Sequence, residues 1–365
     1  RAIPLGGPAP FMPALLAPGG LGPTCRGQPP AKPGATISNG AYVVAESVPN
    51  SHVLLRKNPA YHDASGVAID VVRYVQIAEL SAEYNRFRTG ELDITSNSPL
   101  HPLDEIRAAV GDQLKVSPFL ALYYYGFNTQ KPPFTSRALR QALSMTVDRE
   151  KLTDVVLRLG NAPAYSLVPD GMPDYTSQRP DWASAPYDER VRRARALYAS
   201  AGYGASRPLR FELRYNVGSA HERIALAVSG MWQEALGVEV TLVPEEFKSL
   251  LQTIQRGDAQ AFRSSWTADF PDALAFLQNY IPSSTLNLSG YRNAAFDSDA
   301  VTCITEADPA KRRALLERAE RTFADDAPIV PLYFMVNRRL VSKRVRGWSD
   351  NPVRVTYSRT LSLAD

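Results

Sequence analysis

The sequence predicts a mixed α/β fold. Strand-like and helix-like segments alternate from residue 136 to residue 336, and several of the helices start at a recognisable cap. Length and composition agree. The chain has 365 residues, 44% hydrophobic and 21% charged, which is ordinary for a soluble protein and enough for two domains with cores of useful size.

Residues 1–37 are rich in Pro and Gly and read as extended or loop structure, with a short helix near 13–16. The apolar stretch over 11–21 is broken by Pro13, Pro18 and two glycines. It falls short of the roughly 18 apolar residues of a membrane span and lacks the basic flank and cleavage site of a signal peptide. From Ser38 the character changes. Strands are expected over 41–47 and 52–56, joined at Pro49-Asn50, and the β-branched run over 69–77 reads as a buried strand. A helix over 81–90, a short strand over 92–95 and a helix over 103–110 follow. The strand over 116–128 carries Tyr123, Tyr124 and Tyr125.

Ser136 caps a helix whose Leu139, Ala142, Leu143 and Val147 keep helical spacing. Asp148 caps the next, with Leu152, Val155, Val156 and Leu159 inside and Gly160 beyond its end. Residues 161–187 form a proline-rich loop. After a helix over 188–201 and a strand over 209–216, Ser219-Ala220-His221-Glu222 reads as a capping box, in which Ser219 and Glu222 satisfy each other's free backbone donors. Its helix presents Ile224, Val228, Met231 and Ala235 on one face. A strand over 238–243, a helix over 245–255, a strand over 259–266, helices over 294–306 and 309–326 and a strand over 329–336 complete the alternation. There is no internal repeat.

Composition excludes several classes of function. The net charge of +4, from 41 basic and 37 acidic residues, is small and spread out. The arginine clusters at Arg193 and Arg195, Arg312 and Arg313, and Arg338 and Arg339 read as solvated helix faces, and no base-stacking motif accompanies them, so no nucleic-acid partner is expected. Cys25 and Cys303 have neither CxxC spacing nor paired histidines, which argues against zinc. GxSxG, HExxH and a glycine-rich phosphate loop are all missing, so the chain is expected to be no enzyme and to need no cofactor or metal.

The stretch 259–269 is the most informative. On an extended strand Arg263, Ser265, Thr267 and Asp269 share one face, while Phe262, Ser264 and Trp266 share the other. A cation and an anion then point the same way, up to about 20 Å apart at roughly 3.3 Å per residue. This arrangement suits a zwitterion, and it also suits an edge strand with two unrelated surface charges. His221 lies in the first turn of its helix, where the positive helix end favours a bound anion; a solvated histidine is the plainer alternative. The run Tyr123–Tyr125 reads either as the lining of a groove or as a half-buried strand.

Several motifs occur in a fixed order. Asn39-Gly40-Ala41-Tyr42, Pro49-Asn50 and Asn58-Pro59-Ala60-Tyr61 resemble the "NGPY…NPxY" signature of the extracellular family 5 solute-binding proteins. The segment Arg86 to Asp93 resembles that family's "RxxxGEID", and Phe134, Arg137, Arg140, Ala142, Leu143, Asp148 and Arg149 resemble its "FxDxRVRxALxxAIDR" helix. Ala201-Gly202-Tyr203 and Ile329-Val330-Pro331-Leu332-Tyr333 fit as well. The likeness covers about residues 11 to 365.

The resemblance implies a periplasmic-binding-protein-like fold of class II type with two lobes: residues 1–120 and 337–365 in one, 121–336 in the other. Lobe closure would bury the ligand. An amino-terminal part of the first lobe and a small extra domain are expected to be missing. The implied function is capture of short peptides in the periplasm and delivery to the permease of an ABC importer, as a monomer. A narrower ligand, such as a cell-wall (murein) peptide or a dipeptide, is the alternative, and a hydrolase is a remote one. Trp266-Thr267-Ala268-Asp269-Phe270 is similar to the "GWxADY" strand of the oligopeptide-binding branch, which gives Asp269 the peptide's α-ammonium. The same likeness gives Arg263 and His221 the carboxylate, and places Trp266, Thr267, Tyr124, Asn97 and Phe247 in the pocket. The sequence departs from that branch at Leu157, where the relatives have a lysine (Arg158 is adjacent), at Ser96, where they have a tyrosine, and at Ala121 and Thr267, where close relatives have a disulfide.

Overall fold

Pro49 and Asn50 turn a hairpin, Asn50 with a φ of 60°, and the residues on either side pair as antiparallel strands β1 (Tyr42–Val48) and β2 (His52–Lys57). Strand β3 (Val71–Val75) pairs antiparallel with β2 to complete a three-stranded sheet. The computed structural model describes Pro10, residues 38–99 and residues 101–364, with only the backbone of Ser219. The loop and short helix expected within residues 1–37, and Cys25, lie outside the described residues. Strand β3 corrects an expectation. The run over 69–77 is not a buried strand: Val71 is 44% and Tyr74 53% exposed, because β3 is an edge with one partner strand. β-Branched composition favours a strand; what packs on it decides burial.

Helices α1 (Leu80–Arg88) and α2 (Leu103–Val110) follow, and Phe87, Ile106 and Val110 pack with Leu114 and Leu340. The strand expected over 92–95 is a single bridge between Ile94 and Val341. The chain then enters β4 (Leu114–Phe127), its longest strand at 14 residues. Residues 119–336 form one compact unit; among the described residues, those from 38 to 118 and from 337 to 364 form a second.

The unit 119–336 holds α3 (Arg137–Met145), β5 (Ala162–Pro163), α4 (Tyr187–Ser200), β6 (Arg210–Asn216), α5 (Ser219–Leu236), β7 (Glu239–Glu245), α6 (Phe247–Gln255), β8 (Ala261–Thr267), α7 (Leu274–Leu277), α8 (Ala294–Thr302), α9 (Pro309–Asp326) and most of β9 (Ile329–Leu340). Six strands form one sheet in the order β5-β9-β4-β8-β6-β7. Strand β6 runs parallel to β7 and β8, while β4 runs antiparallel to β8. In the other unit β10 (Val345–Arg346) and β11 (Ser362–Leu363) pair antiparallel.

Side-chain caps open four of the helices among the described residues, α3, α6, α8 and α9. Ser136 Oγ accepts from the Leu139 amide at 3.3 Å, and Asp308 Oδ1 from Ala310 and Lys311 at 2.9 and 3.0 Å, with Pro309 opening α9. Helix α5 departs from the capping box expected for it. It begins at Ser219 with Gly218 in the cap position, so the expected Ser219–Glu222 box is out of register by one residue; the Ser219 side chain lies outside the described residues. The segment capped by Asp148 also differs. Residues Lys151–Leu157 form a π-helix, and the Arg158 amide reaches back five residues to Thr153 at 2.8 Å. The wider turn brings Leu157, not Val155, back over Leu152; Leu157 is buried and Val155 is 65% exposed.

The arginine clusters are not all solvated. Arg312 forms a bidentate pair with Asp272, Nη1 to Oδ2 at 2.8 Å and Nη2 to Oδ1 at 3.0 Å, and Arg338 is buried. Arg140 and Arg149 are buried too, and Arg149 is fully enclosed. Glu320 of α9 accepts from the Val168 and Gln178 amides at 2.7 Å each and from the Tyr175 hydroxyl, pinning the proline-rich loop to the helix; burial pushes its carboxyl up to about 7. Cys303 is buried and free, and burial pushes its thiol up to about 12.

Close packing between β4 and β8 gives a first testable consequence. Gly126 pairs with Phe262, and a Cβ at Gly126 would lie 2.4 Å from the buried Phe262 ring. Gly126→Ala should destabilise the unit by about 1–3 kcal/mol, the usual cost of overpacking, seen as a lower urea midpoint at unchanged slope.

Candidate ligand-binding site

The parallel strands β6, β7 and β8 end along one edge of the larger sheet, at Asn216, Glu245 and Thr267. In open α/β sheets the carboxyl ends of parallel strands are where ligands bind. The chain leaves these ends through Val217 and Phe247, exposed by 60% and 52%, and through Asp269, also exposed.

Arg263 is the charged centre of this edge. Directly opposed residues of an antiparallel pair share a face, and β4 sets Tyr125 opposite Arg263 and Tyr123 opposite Ser265. The guanidinium therefore lies over the Tyr123 ring, 4.6 Å from its centroid. Its Nη1 donates to Asn216 Oδ1 at 3.0 Å and its Nη2 to Ser265 Oγ at 3.2 Å. Both acceptors are neutral. Its Nε is buried without an acceptor, and no carboxylate among the described residues pairs with this cation.

His221 sits in the first turn of α5, its ring 5.7 Å from that of Tyr123 and its Nδ1 3.0 Å from the Tyr123 hydroxyl. Burial, reinforced by the Arg263 charge, pushes the imidazole down to about 4. Gly218 makes room for it: a Cβ there would stand 3.2 Å from His221 Cδ2, and its φ of 153° is one that other residues rarely adopt. Tyr123 is itself buried, and stacks on Tyr333 at 4.8 Å. Burial raises its phenol to about 12, against the lowering effect of Arg263.

Asp269 lies past the end of β8, which stops at Thr267 rather than continuing to 269, so strand alternation does not set its direction. The turn that carries it is anchored on both sides. The Ala268 amide donates to Leu120 O at 2.8 Å, and Asp272 accepts from the Leu274 amide at 2.8 Å besides pairing with Arg312. The Asp269 carboxylate has no hydrogen bond or ion pair among the described residues.

The expected residues are thus partly gathered. His221 and Arg263 meet on Tyr123, and Thr267 is exposed on the same sheet face as Arg263. Trp266 and Tyr124 point to the opposite face, where Trp266 Nε1 donates to Ala275 O at 2.7 Å and Tyr124 is buried. Phe247 opens α6, and Asn97 belongs to the other unit, half-buried. All three tyrosines of the run 123–125 are buried, so the run is primarily core. Sequence reasoning missed Tyr123 and Asn216 as site residues. The aromatic run flagged the first; nothing in the sequence showed that β6 lies beside β8. The Ser–His pair of a hydrolase is not formed among the described residues: the hydroxyl on His221 is a phenol, and Ser265 bonds Arg263.

Among the described residues, the strand ends thus present a cation without a carboxylate partner, a neutral imidazole and a separate exposed carboxylate. The chain belongs to the bacterial extracellular solute-binding proteins of family 5, whose profile matches residues 4–287. It is 34% identical over 369 residues to the periplasmic oligopeptide-binding protein OppA of Escherichia coli, covering 99% of this chain and 68% of that protein. It is 37% identical over 336 residues to the probable deoxycholate-binding periplasmic protein YgiS of the same organism, covering 91% and 62%. Among solved structures, the Escherichia coli murein tripeptide binding protein MppA superposes with a TM-score of 0.83 at 33% identity, covering 98% of this chain and 72% of that one. The fold is thus periplasmic-binding-protein-like, and the chain spans roughly two thirds of the length of these relatives.

Proposed function

We propose that this protein captures short peptides in the periplasm and hands them to the permease of an ABC importer, acting as a monomer and without making or breaking a bond. The observation that carries this reading is Arg263, a cation held by two neutral acceptors and lacking any carboxylate among the described residues, beside an exposed, unpaired Asp269 six positions further on. A ligand with opposite charges at its two ends supplies both missing partners. In this reading the peptide carboxylate meets Arg263 and His221, its ammonium meets Asp269, and Phe247, Trp266, Thr267, Tyr124 and Asn97 contribute to the surroundings. Main-chain hydrogen bonds would carry much of the affinity, as in strand addition. The units 119–336 and 38–118 with 337–364 correspond in this reading to the two lobes expected from the family.

Arg263→Ala tests it. Calorimetric titration with trialanine should show an affinity about 10- to 100-fold lower than for the unsubstituted chain, the usual loss for one charge-assisted hydrogen-bonding partner, while the C-terminal amide of trialanine should lose little. Equal losses for acid and amide would remove Arg263 from carboxylate recognition. The likeness to the murein tripeptide binding protein favours a second reading, a murein peptide ligand; tighter binding of a murein tripeptide than of trialanine would select it. Deoxycholate has a carboxylate and no ammonium, so a deoxycholate binder would retain its affinity on Asp269→Asn.

A further inference from the structure

We infer that Tyr123 is a positioning residue that fixes His221 as a neutral imidazole with its proton on Nε2, so that the site offers one uncharged N–H donor beside one cation. The functional part of this inference rests on reading Arg263 and His221 as the pair that faces an anion; the tautomer does not.

The hydrogen-bond inventory decides the direction. The Tyr123 hydroxyl and His221 Nδ1 are 3.0 Å apart, and either can hold the shared proton. A guanidinium can only donate, and Arg263 lies against the phenol. Electron density on the phenol oxygen is therefore turned toward Arg263, and the hydroxyl proton toward the imidazole. Were the proton on Nδ1 instead, that N–H would point into the phenol oxygen, and the phenol proton would need another acceptor. Among the described residues His221 is the one acceptor beside the hydroxyl, since its other neighbour, Arg263, can only donate. Nδ1 is then an acceptor, and in a neutral ring Nε2 carries the hydrogen.

The neighbours keep the ring neutral. The titratable groups facing it are Arg263 of β8 and Tyr123 of β4, with Tyr333 of β9 stacked beyond Tyr123 and Glu222 next to it on its own helix. No carboxylate among the described residues pairs with it, while Arg263 repels a second positive charge. The ring is half-buried, as a histidine kept out of its charged state should be.

The consequence concerns ligand chemistry. The subsite carries a single positive charge from Arg263 and a neutral donor from His221, which matches a monoanionic acceptor such as a carboxylate. Its affinity should be flat between about pH 5 and 8, where an imidazolium-dependent site would tighten on acidification.

The test is two-bond 1H–15N correlation spectroscopy of the chain labelled with 15N-histidine. The chain has four histidines, and the His221 signals are those lost in His221→Gln. The expected result is the Nε2–H pattern, unchanged from pH 8 to pH 5, in the unsubstituted chain. Tyr123→Phe keeps the ring and should convert His221 to a mixture of tautomers, with trialanine affinity reduced about threefold to tenfold and that of its amide unchanged. An Nδ1–H pattern, or an imidazolium forming near pH 6.5 in the unsubstituted chain, overturns the inference, and that measurement needs no variant. If His221 shows the Nε2–H pattern but trialanine and its amide bind alike, the peptide reading falls and the tautomer stands. If acid and amide differ while His221 carries its proton on Nδ1, the peptide reading stands and the positioning role falls.

Discussion

Asp269→Asn should weaken binding of a tripeptide with a free amino terminus by about 10- to 150-fold, which corresponds to the roughly 1.5–3 kcal/mol of a hydrogen bond to a charged group. The substitution keeps the side-chain shape and removes the charge, so it separates electrostatics from packing. The size is set by exposure. A carboxylate buried before the ligand arrives would cost more to lose, because its removal would strand the ammonium without water. Asp269 is exposed in the free chain, so the lower range applies. The turn around it is held by the Ala268 amide on Leu120 and by the Asp272–Arg312 pair, so little ordering is left for the ligand to impose. The control is N-acetyltrialanine, which has no ammonium. It should bind the unsubstituted chain poorly and should respond little to Asp269→Asn. Titration calorimetry of the two peptides against both chains gives four affinities, and equal affinity of free and acetylated peptide for the unsubstituted chain would show that Asp269 does not read the amino terminus.

What was legible in the sequence follows from how far each signal reaches along the chain. Capped helices were readable because their signals are local. Asp308 before Pro309 gave α9 with both of its ends, and Ser136 gave the start of α3. Strand placement was good for β6, expected over 209–216 and found over Arg210–Asn216. Burial was not legible for β3, since an edge strand and a central strand share one composition. The π-helix over Lys151–Leu157 was missed because an i, i+3, i+4 pattern assumes the α turn. At the candidate site, alternation along β8 put Arg263 and Ser265 on one face, but it ran past the end of the strand and included Asp269. Tyr123 and Asn216 reach Arg263 from β4 and β6, and strand neighbourhood is a tertiary fact that no local pattern encodes. The arginines were the clearest failure. A pair such as Arg312-Arg313 looks solvated until Asp272, far away in sequence, is seen to meet it.

Arg149 shows the same point with the largest consequence for stability. It is fully enclosed, and burial lowers its guanidinium to about 10, which still leaves it charged at neutral pH. Among the described residues no carboxylate pairs with it directly. Instead its Nε donates to Ala164 O at 2.6 Å and Pro331 O at 2.8 Å, its Nη1 to Ser144 O at 2.9 Å and Val147 O at 3.2 Å, and its Nη2 to Ser144 Oγ at 3.0 Å. The Tyr165 ring lies 4.6 Å from it and the Trp182 ring 5.6 Å. One side chain thus joins the end of α3, the start of the proline-rich loop and strand β9. Arg149→Met fills much of the volume but leaves those carbonyls without a donor, at about 1–3 kcal/mol for each that water cannot reach. Allowing for relaxation and some water entry, the expected loss is about 3–5 kcal/mol, a large share of the roughly 5–15 kcal/mol that holds a domain together. Arg149→Lys keeps the charge, loses the planar fork and should fall between. Urea unfolding followed by tryptophan fluorescence reads this directly, because Trp182 is one of the rings against the guanidinium. Arg193→Met, at an exposed arginine that pairs with Glu189 on its own helix, should change stability by less than about 0.5 kcal/mol. If Arg149→Met matched the unsubstituted chain instead, the enclosed cation would be worth no more than a well-packed apolar side chain, as happens for some buried ion pairs, and the loop and β9 would have to be held by their apolar contacts alone.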